Sequence, residues 1–144
     1  IQRRRIMGDR ISIQFVNEGD KSVVFFDHWA GKGLIEEAHD YLIELNAESS
    51  DGRISMPLDR REPSVVMIDF IAWRANKHGF NPPLRRIRGS WYLGVDENDG
   101  DNSDNGHWLI DVSQRNTDTR VTTNMDLTLE DMLQQMRENN DLPF

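Results

Sequence analysis

The stretch Ile11-Ser-Ile-Gln-Phe-Val-Asn-Glu-Gly-Asp-Lys-Ser-Val-Val-Phe-Phe-Asp27 decides the fold of this chain. Its first half alternates apolar residues (Ile11, Ile13 and Phe15) with polar ones, which is the period of a half-buried strand. Asparagine and glycine within residues 17–20 suit a tight turn, because both tolerate positive φ. The second half is β-branched and aromatic, as strands favour. The stretch therefore predicts an N-terminal β-hairpin.

Two segments after the hairpin predict helices. From Leu34 to Leu45, apolar residues recur at the i, i+4, i+7 spacing and acidic residues fill the other side. A second helix begins at Glu62-Pro-Ser64, where proline suits the first turn. It is apolar around nearly its whole circumference, which is typical of a helix buried between other layers. Its expected core residues are Val66, Phe70 and Trp73.

The C-terminal half predicts two longer strands, an edge strand and a last helix. The runs Leu84–Val95 and Gly106–Val112 are expected to pair as a hairpin across an acidic loop, residues 96–105. A short edge strand is expected at Arg120–Thr123, and Thr128-Leu-Glu-Asp131 resembles a capping box. The order ββααββ(β)α predicts an α+β fold, an antiparallel sheet packed by about three helices.

Length and composition indicate one globular domain. The chain has 144 residues, of which 37% are hydrophobic, and a formal net charge of −8, which opposes non-specific association with nucleic acid or anionic lipid. It contains no cysteine, which fits a reducing cytoplasm, and no apolar run approaches the ~18 residues of a membrane span. Residues 1–6 are expected to be a basic tail or an expression-vector remnant, and residues 7–144 a single domain.

A set of short motifs is spaced along both halves of the chain. They are Met7-Gly-Asp-Arg10, His28-Trp29, Gly31, Gly33, Leu93-Gly94 and Leu109-Ile-Asp-Val112. In these motifs the chain resembles an uncharacterised family of small prokaryotic and phage proteins, which open with Met-Gly-Asp-Arg, form a β-hairpin and continue into a His-Trp-Gly turn. The resemblance is specific over residues 7–45 and looser over residues 85–115. It implies an α+β fold and transfers no catalytic residue.

His28, Asp27 and Trp29 form the best small cluster for chemistry. An imidazole oriented by a carboxylate acts as a base or as a metal ligand, and an indole stacks on a base or a sugar ring. The competing interpretation is a packing corner with a buried indole and an imidazole bonded to the backbone. The sequence leaves both interpretations open.

The turn Gly31-Lys32-Gly33 precedes a helix, which suggests a phosphate site formed by amide groups at a helix N-terminus. However, Glu36 and Glu37 in the first turn repel an anion, and the frame of a phosphate-binding loop is missing. The glycines are equally explained as the turn that opens the helix.

The residues Arg86, Arg88 and Tyr92 share one predicted strand face. That arrangement fits a surface that binds phosphate and stacks on a base. Salt bridges to the acidic helices use the same arginines equally well, so nucleic acid is not the expected partner.

The acidic loop concentrates carboxylates at Asp96, Asp99, Asp101 and Asp104, which are hard oxygen donors of the kind that Ca²⁺ or Mg²⁺ requires. The spacing does not match an EF-hand, because the position of the bidentate glutamate is occupied by Val112. The alternative is a solvated hairpin loop. We expect no cofactor beyond weak binding of Ca²⁺ or Mg²⁺.

No Gly-x-Ser-x-Gly, His-Glu-x-x-His or Rossmann glycine motif occurs. The sequence therefore favours a small soluble interaction or accessory module without catalytic activity. It does not identify the partner, although it leaves room for a protein and predicts no membrane. The alternative is a metal-dependent or His-based hydrolytic enzyme that uses His28 with nearby carboxylates.

Overall fold

The computed structural model describes residues 8–47, 50, 56, 60–79, 90–113 and 121–123, together with the helical residues 131, 134 and 138. The chain is α+β, as predicted. Residues 1–6, the first part of the predicted strand 84–95 and most of the predicted last helix lie outside the described residues. The elements are β1 (Ile11–Asn17), β2 (Asp20–Lys21), β3 (Val24–Asp27), α1 (Gly33–Asn46), α2 (Pro63–Lys77), β4 (Trp91–Gly94), β5 (His107–Asp111) and β6 (Val121–Thr123).

The N-terminal hairpin forms as predicted, with one irregularity. Glu18 and Gly19 both have positive φ, 48° and 92°, as a type I′ turn requires. β1 pairs with β2 and with β3 in antiparallel registers that differ by one residue. A β-bulge at Ser22 and Val23 absorbs the difference, which is why the returning strand is divided into β2 and β3.

The sheet is mixed, which corrects the prediction of an antiparallel sheet. Its strand order is β4-β3-β1-β5-β6, and β1 and β5 run parallel. The predicted hairpin of β4 and β5 is wrong, because β4 pairs with β3 and β5 pairs with β1 and β6. Three strand spacings of roughly 4.8 Å separate β4 from β5. The acidic loop is therefore long because it crosses the sheet instead of reversing the chain.

Helices α1 and α2 cover one face of the sheet and form the main core with it. Phe70 of α2 lies at the centre of this core, with its ring centroid 5.5 Å from that of Phe15 and 5.3 Å from that of Tyr41. The apolar stripe predicted for α1 is buried in the same cluster. Its members are Ile11, Ile13, Phe15, Phe25, Leu34, Ile35, Ala38, Tyr41, Leu42, Leu45, Val66, Met67, Phe70, Trp108, Ile110 and Val112.

The outer side of α2 is exposed, which corrects the expectation that this helix lies between two layers. Val66 and Phe70 are fully buried, as predicted, and Trp73 packs partly buried against the core. Ile68 is 71% exposed and Val65 is 47% exposed. Apolar character around a helix therefore did not require a covering layer on both sides. Within the described ranges, no helix is long and apolar enough to cross a membrane.

The acidic loop covers the other face of the sheet. Phe26 is fully buried on this face, and the ring of Tyr92 stacks on it with 4.9 Å between centroids. A Cβ atom at Gly100 would lie 2.7 Å from the Phe26 ring, so a glycine there lets the loop backbone pack on the ring. Ser12 and Gln14 of β1 are also buried. β1 is thus covered on both faces, instead of being half-buried as its alternating pattern predicted.

Candidate binding cleft

A cleft of about 420 Å³ opens where three elements meet. The end of β3 and the turn after it form one side. The C-terminal end of α2 and the start of β4 form the others. The lining residues are Asp27, Trp29, Ala30, Arg74, His78, Ser90 and Trp91.

A buried ion pair connects the elements around this cleft. Nη1 of Arg74 donates to Oδ2 of Asp27 at 2.6 Å, and both side chains are at most 3% exposed. Nη2 of Arg74 donates to Oε1 of Glu37 at 3.2 Å, and Oε2 of Glu37 lies 2.8 Å from Nε2 of His78. Buried charges require partners. The network therefore holds β3, α1 and α2 in fixed relative positions.

The second carboxylate oxygen of Asp27 shapes the turn after β3. Oδ1 accepts hydrogen bonds from the backbone N–H groups of Trp29 at 2.9 Å and Ala30 at 3.1 Å, as in an Asx-type turn. Asp27 thus uses one oxygen for the turn and the other for Arg74. The predicted partnership, in which Asp27 orients the imidazole of His28, stays a prediction.

One indole ring, that of Trp91, lies against the ion pair. The guanidinium carbon of Arg74 lies 4.3 Å from the ring centroid of Trp91, a cation–π contact. Nε of Arg74 is buried without a hydrogen-bond partner, so the guanidinium is held by its two carboxylates and this ring. Trp29 is 57% exposed. The interpretation of Trp29 as a packing corner with a buried indole is therefore wrong, because the residue is exposed and is one of those that line the cleft.

The glycine turn before α1 is closed by Asp9. The backbone N–H of Gly31 donates to the Asp9 carbonyl at 2.8 Å, and a Cβ atom at Gly31 would lie 2.1 Å from Oδ2 of Asp9. Gly31 has a φ of 57°, and Lys32 is the N-cap of α1, which begins at Gly33. Because a carboxylate lies against the turn, a phosphate there would be repelled. The geometry favours the helix-opening role of this turn.

His28 lies close enough to Asp101 for its charge to act on that carboxylate. Its Nε2 would lie 2.7 Å from a Cβ atom on Gly8, and its ring meets the Trp29 ring edge-on at 4.7 Å. The pKa of Asp101 is lowered, mainly by hydrogen bonds from Ser103 and more weakly by the charges of Arg10 and His28. The hydrolase alternative, which uses His28 with nearby carboxylates, stays a hypothesis.

The carboxylates of the acidic loop accept hydrogen bonds from the loop backbone or form ion pairs with Arg10. Asp99 accepts two backbone N–H groups at 2.8 Å, and Asp96 accepts one at 2.9 Å. Asp101 and Asp104 form ion pairs with Arg10 at 3.1 and 3.4 Å. Among the described residues, no three His, Asp or Glu side chains converge in a group that could hold a metal ion. These carboxylates act as turn caps and as ion-pair partners.

The predicted surface of Arg86, Arg88 and Tyr92 is described only at Tyr92, because both arginines lie outside the described residues. The Tyr92 ring stacks on Phe26, and its hydroxyl accepts the backbone N–H of Asp101 at 3.0 Å. Tyr92 therefore connects the acidic loop to the sheet through its ring and its hydroxyl.

Arg74, Glu37 and His78 are site residues that the sequence reasoning missed. A usable signal was present for Arg74, which follows Met67 by seven positions and Phe70 by four. It therefore falls on the buried stripe of α2. An arginine on a buried stripe requires a buried carboxylate partner. The sequence does not indicate which of the many acidic residues supplies it.

Comparisons with protein-family models, with curated proteins and with solved structures gave no match. The resemblance to the small prokaryotic and phage proteins therefore stays a prediction. The geometry of the cleft is what supports a function for this chain.

Proposed function

We propose that this chain is an interaction module that holds a partner in the cleft beside Trp29, without catalysing a reaction. The polar groups of the cleft support this proposal, because they bind one another. Asp27, Arg74 and Glu37 are joined by hydrogen bonds of 2.6 and 3.2 Å. A carboxylate that is paired with a buried guanidinium is a poor general base. The same pairing makes the cleft rigid, which suits binding.

The exposed indole of Trp29 is the observation that carries the proposal. Its backbone is fixed by Asp27, so the ring is presented without the ordering cost of a flexible loop. Tryptophan is enriched among the few residues that supply most of the energy of protein interfaces. Trp91, which also lines the cleft, offers a second ring that is already held by Arg74.

The charge of the cleft indicates the class of partner group. Two carboxylates, Asp27 and Glu37, surround a single guanidinium, and the whole chain carries a formal charge of −8. Both features disfavour an anion. An exposed indole face attracts a cation or a flat neutral group. The proposed partner therefore presents a neutral or positively charged side chain, and the cysteine-free sequence supports a cytoplasmic setting.

A fragment titration followed by NMR of the indole N–H groups tests this proposal. The chain has four tryptophans, so two of them report on the cleft and two serve as internal controls. Trp29 and Trp91 line the cleft, whereas the Trp108 indole is buried and donates to the Asn105 carbonyl, and that of Trp73 donates to Glu44. We expect benzylammonium and phenol to shift the Trp29 and Trp91 signals, and benzoate to act more weakly.

The two control signals decide between a site and non-specific contact. We expect the Trp73 and Trp108 signals to stay in place throughout the titration. Equal shifts at all four indoles, or unchanged Trp29 and Trp91 signals at saturating fragment, would remove the cleft as the binding site.

A further inference from the structure

A chain of buried hydrogen bonds connects the acidic loop to the middle of the sheet, on the face opposite to the helices. Nδ2 of Asn102 in the loop donates to Oγ of Ser12 at 2.9 Å, and Oγ of Ser12 lies 2.7 Å from Nδ1 of His107. Nε2 of His107 lies 3.1 Å from Oε1 of Gln14, whose Nε2 donates to the Ser22 carbonyl at 2.6 Å. The side chains of Ser12, Gln14 and His107 are all buried.

The donor and the acceptor of every hydrogen bond in this series are fixed by the backbone carbonyls at its two ends. Nδ2 of Asn102 also donates to the Glu97 carbonyl at 3.0 Å, so its amide group must point its N–H groups toward Ser12. At the other end, Gln14 donates to a carbonyl and so turns its oxygen toward His107. His107 must therefore carry its proton on Nε2, and its Nδ1 accepts from the Ser12 hydroxyl. In this arrangement the Ser12 hydroxyl hydrogen has an acceptor only while the imidazole is neutral.

We propose that His107 is a proton-operated latch, which holds the acidic loop on the sheet while its imidazole is neutral and releases the loop when the imidazole is protonated. A proton on Nδ1 turns this atom into a donor, so the Ser12 hydroxyl loses its acceptor. The neighbouring group, Nδ2 of Asn102, is itself a donor. If the Asn102 amide turned over to accept, its oxygen would face the Glu97 carbonyl. If Asn102 stays in place, Ser12 Oγ must accept from both His107 and Asn102, the Ser12 hydroxyl hydrogen has lost its acceptor, and a charge lies in a buried site. Protonation therefore weakens the contact between loop and sheet.

The surroundings of His107 set the direction of the pH response. Burial lowers the pKa of His107 below its usual value, while Glu97 and Asp96 of the loop oppose this change and Lys21 of β2 adds to it. Because the unfolded chain then binds the proton more tightly than the folded chain, the network stabilises the fold fully above the ordinary histidine pKa of about 6.5. That stabilisation is lost as the pH falls through the lower pKa of the folded state.

The other attachments of the loop persist in this pH range. Arg10 holds the loop through Asp101, whose pKa is lowered chiefly by hydrogen bonds from Ser103, so that ion pair survives when His107 is protonated. Release is therefore expected where Asn102 meets the sheet, and the fold itself stays intact. His28 also lies near Asp101, so a test must separate the two histidines.

Hydrogen exchange measured by NMR between pH 7 and pH 5, with correction for the intrinsic rates, tests the latch. We expect exchange at the loop-side amides of Asp101 and Gly106 to rise several-fold as the His107 ring signals titrate. These amides are bonded to the Tyr92 hydroxyl and to the Asn102 carbonyl. The amides of Ile13 and Phe25 in the sheet should be unaffected.

Two variants assign the response to one histidine. In His107→Asn the side-chain oxygen can accept from Ser12 in place of Nδ1, so we expect a loop that is closed at both pH values. The matched variant His28→Asn should retain the full response. Three outcomes would overturn the proposal. The first is loop exchange that does not follow the His107 titration in the unaltered protein, and the second is an equal rise in exchange at Ile13 and Phe25. The third is loss of the response in His28→Asn. The first two outcomes need no variant to fold.

Discussion

Replacing Arg74 by methionine is expected to lower the free energy of unfolding by about 3–5 kcal/mol, the usual cost of removing one partner from a buried ion pair. The substitution leaves the carboxylate of Asp27, which is 3% exposed, without its Arg74 partner, and it removes the bond from Nη2 of Arg74 to Glu37. It keeps an apolar side chain of similar length against Trp91. Urea denaturation measures the loss.

A double variant separates the cost of the unpaired buried charge from the cost of the lost packing. When Arg74→Met is combined with Asp27→Asn, the amide oxygen of the substituted side chain still accepts the backbone N–H groups of Trp29 and Ala30, and the buried charge at this position is gone. We expect the double variant to be more stable than Arg74→Met alone. If the double variant were less stable than the unaltered protein by the sum of the two single losses, the ion pair would not be what holds the cleft together.

Replacing Phe70 by alanine is expected to cost about 3–5 kcal/mol of unfolding free energy, the range for truncating a buried aromatic residue. Its ring is fully buried and contacts four other rings, those of Phe15, Phe25, Tyr41 and Trp73. The matched control is Ile68→Ala, two positions earlier on the exposed side of α2, where we expect a change within about 0.5 kcal/mol. Equal denaturation midpoints for the two variants would contradict the assignment of the core face.

Local pattern predicted the elements of this fold better than it predicted their pairing. The alternation of Ile11, Ile13 and Phe15 identified β1, and the turn chemistry identified its hairpin, because both signals lie within a few residues. The β4–β5 hairpin was wrong because alternation shows that a segment is a strand and does not name its partner. The acidic loop allowed either a reversal or a crossing, and the parallel pairing of β1 with β5 depends on contacts almost a hundred residues apart.

In the candidate site, too, local features were predicted and long-range partners were not. Asp27 and Trp29 stood out in the sequence because they are close to each other and to a turn. Their partners, Arg74 and Glu37, come from two helices that are brought together only by the packed core. The polar positions of β1 were expected to face solvent. They are buried instead, since Ser12 and Gln14 form hydrogen bonds with His107 under the loop.

Calorimetric titration of benzylammonium into the unaltered protein, Trp29→Ala and Ile68→Ala tests the central claim most directly. Both substitutions remove an exposed apolar side chain, so neither is expected to disturb the fold, but only Trp29 lines the cleft. We predict that Trp29→Ala weakens binding by about tenfold or more, as expected for a tryptophan that dominates an interface. Ile68→Ala should bind like the unaltered protein. Equal affinity of Trp29→Ala and the unaltered protein would contradict the assignment of the cleft as the binding site.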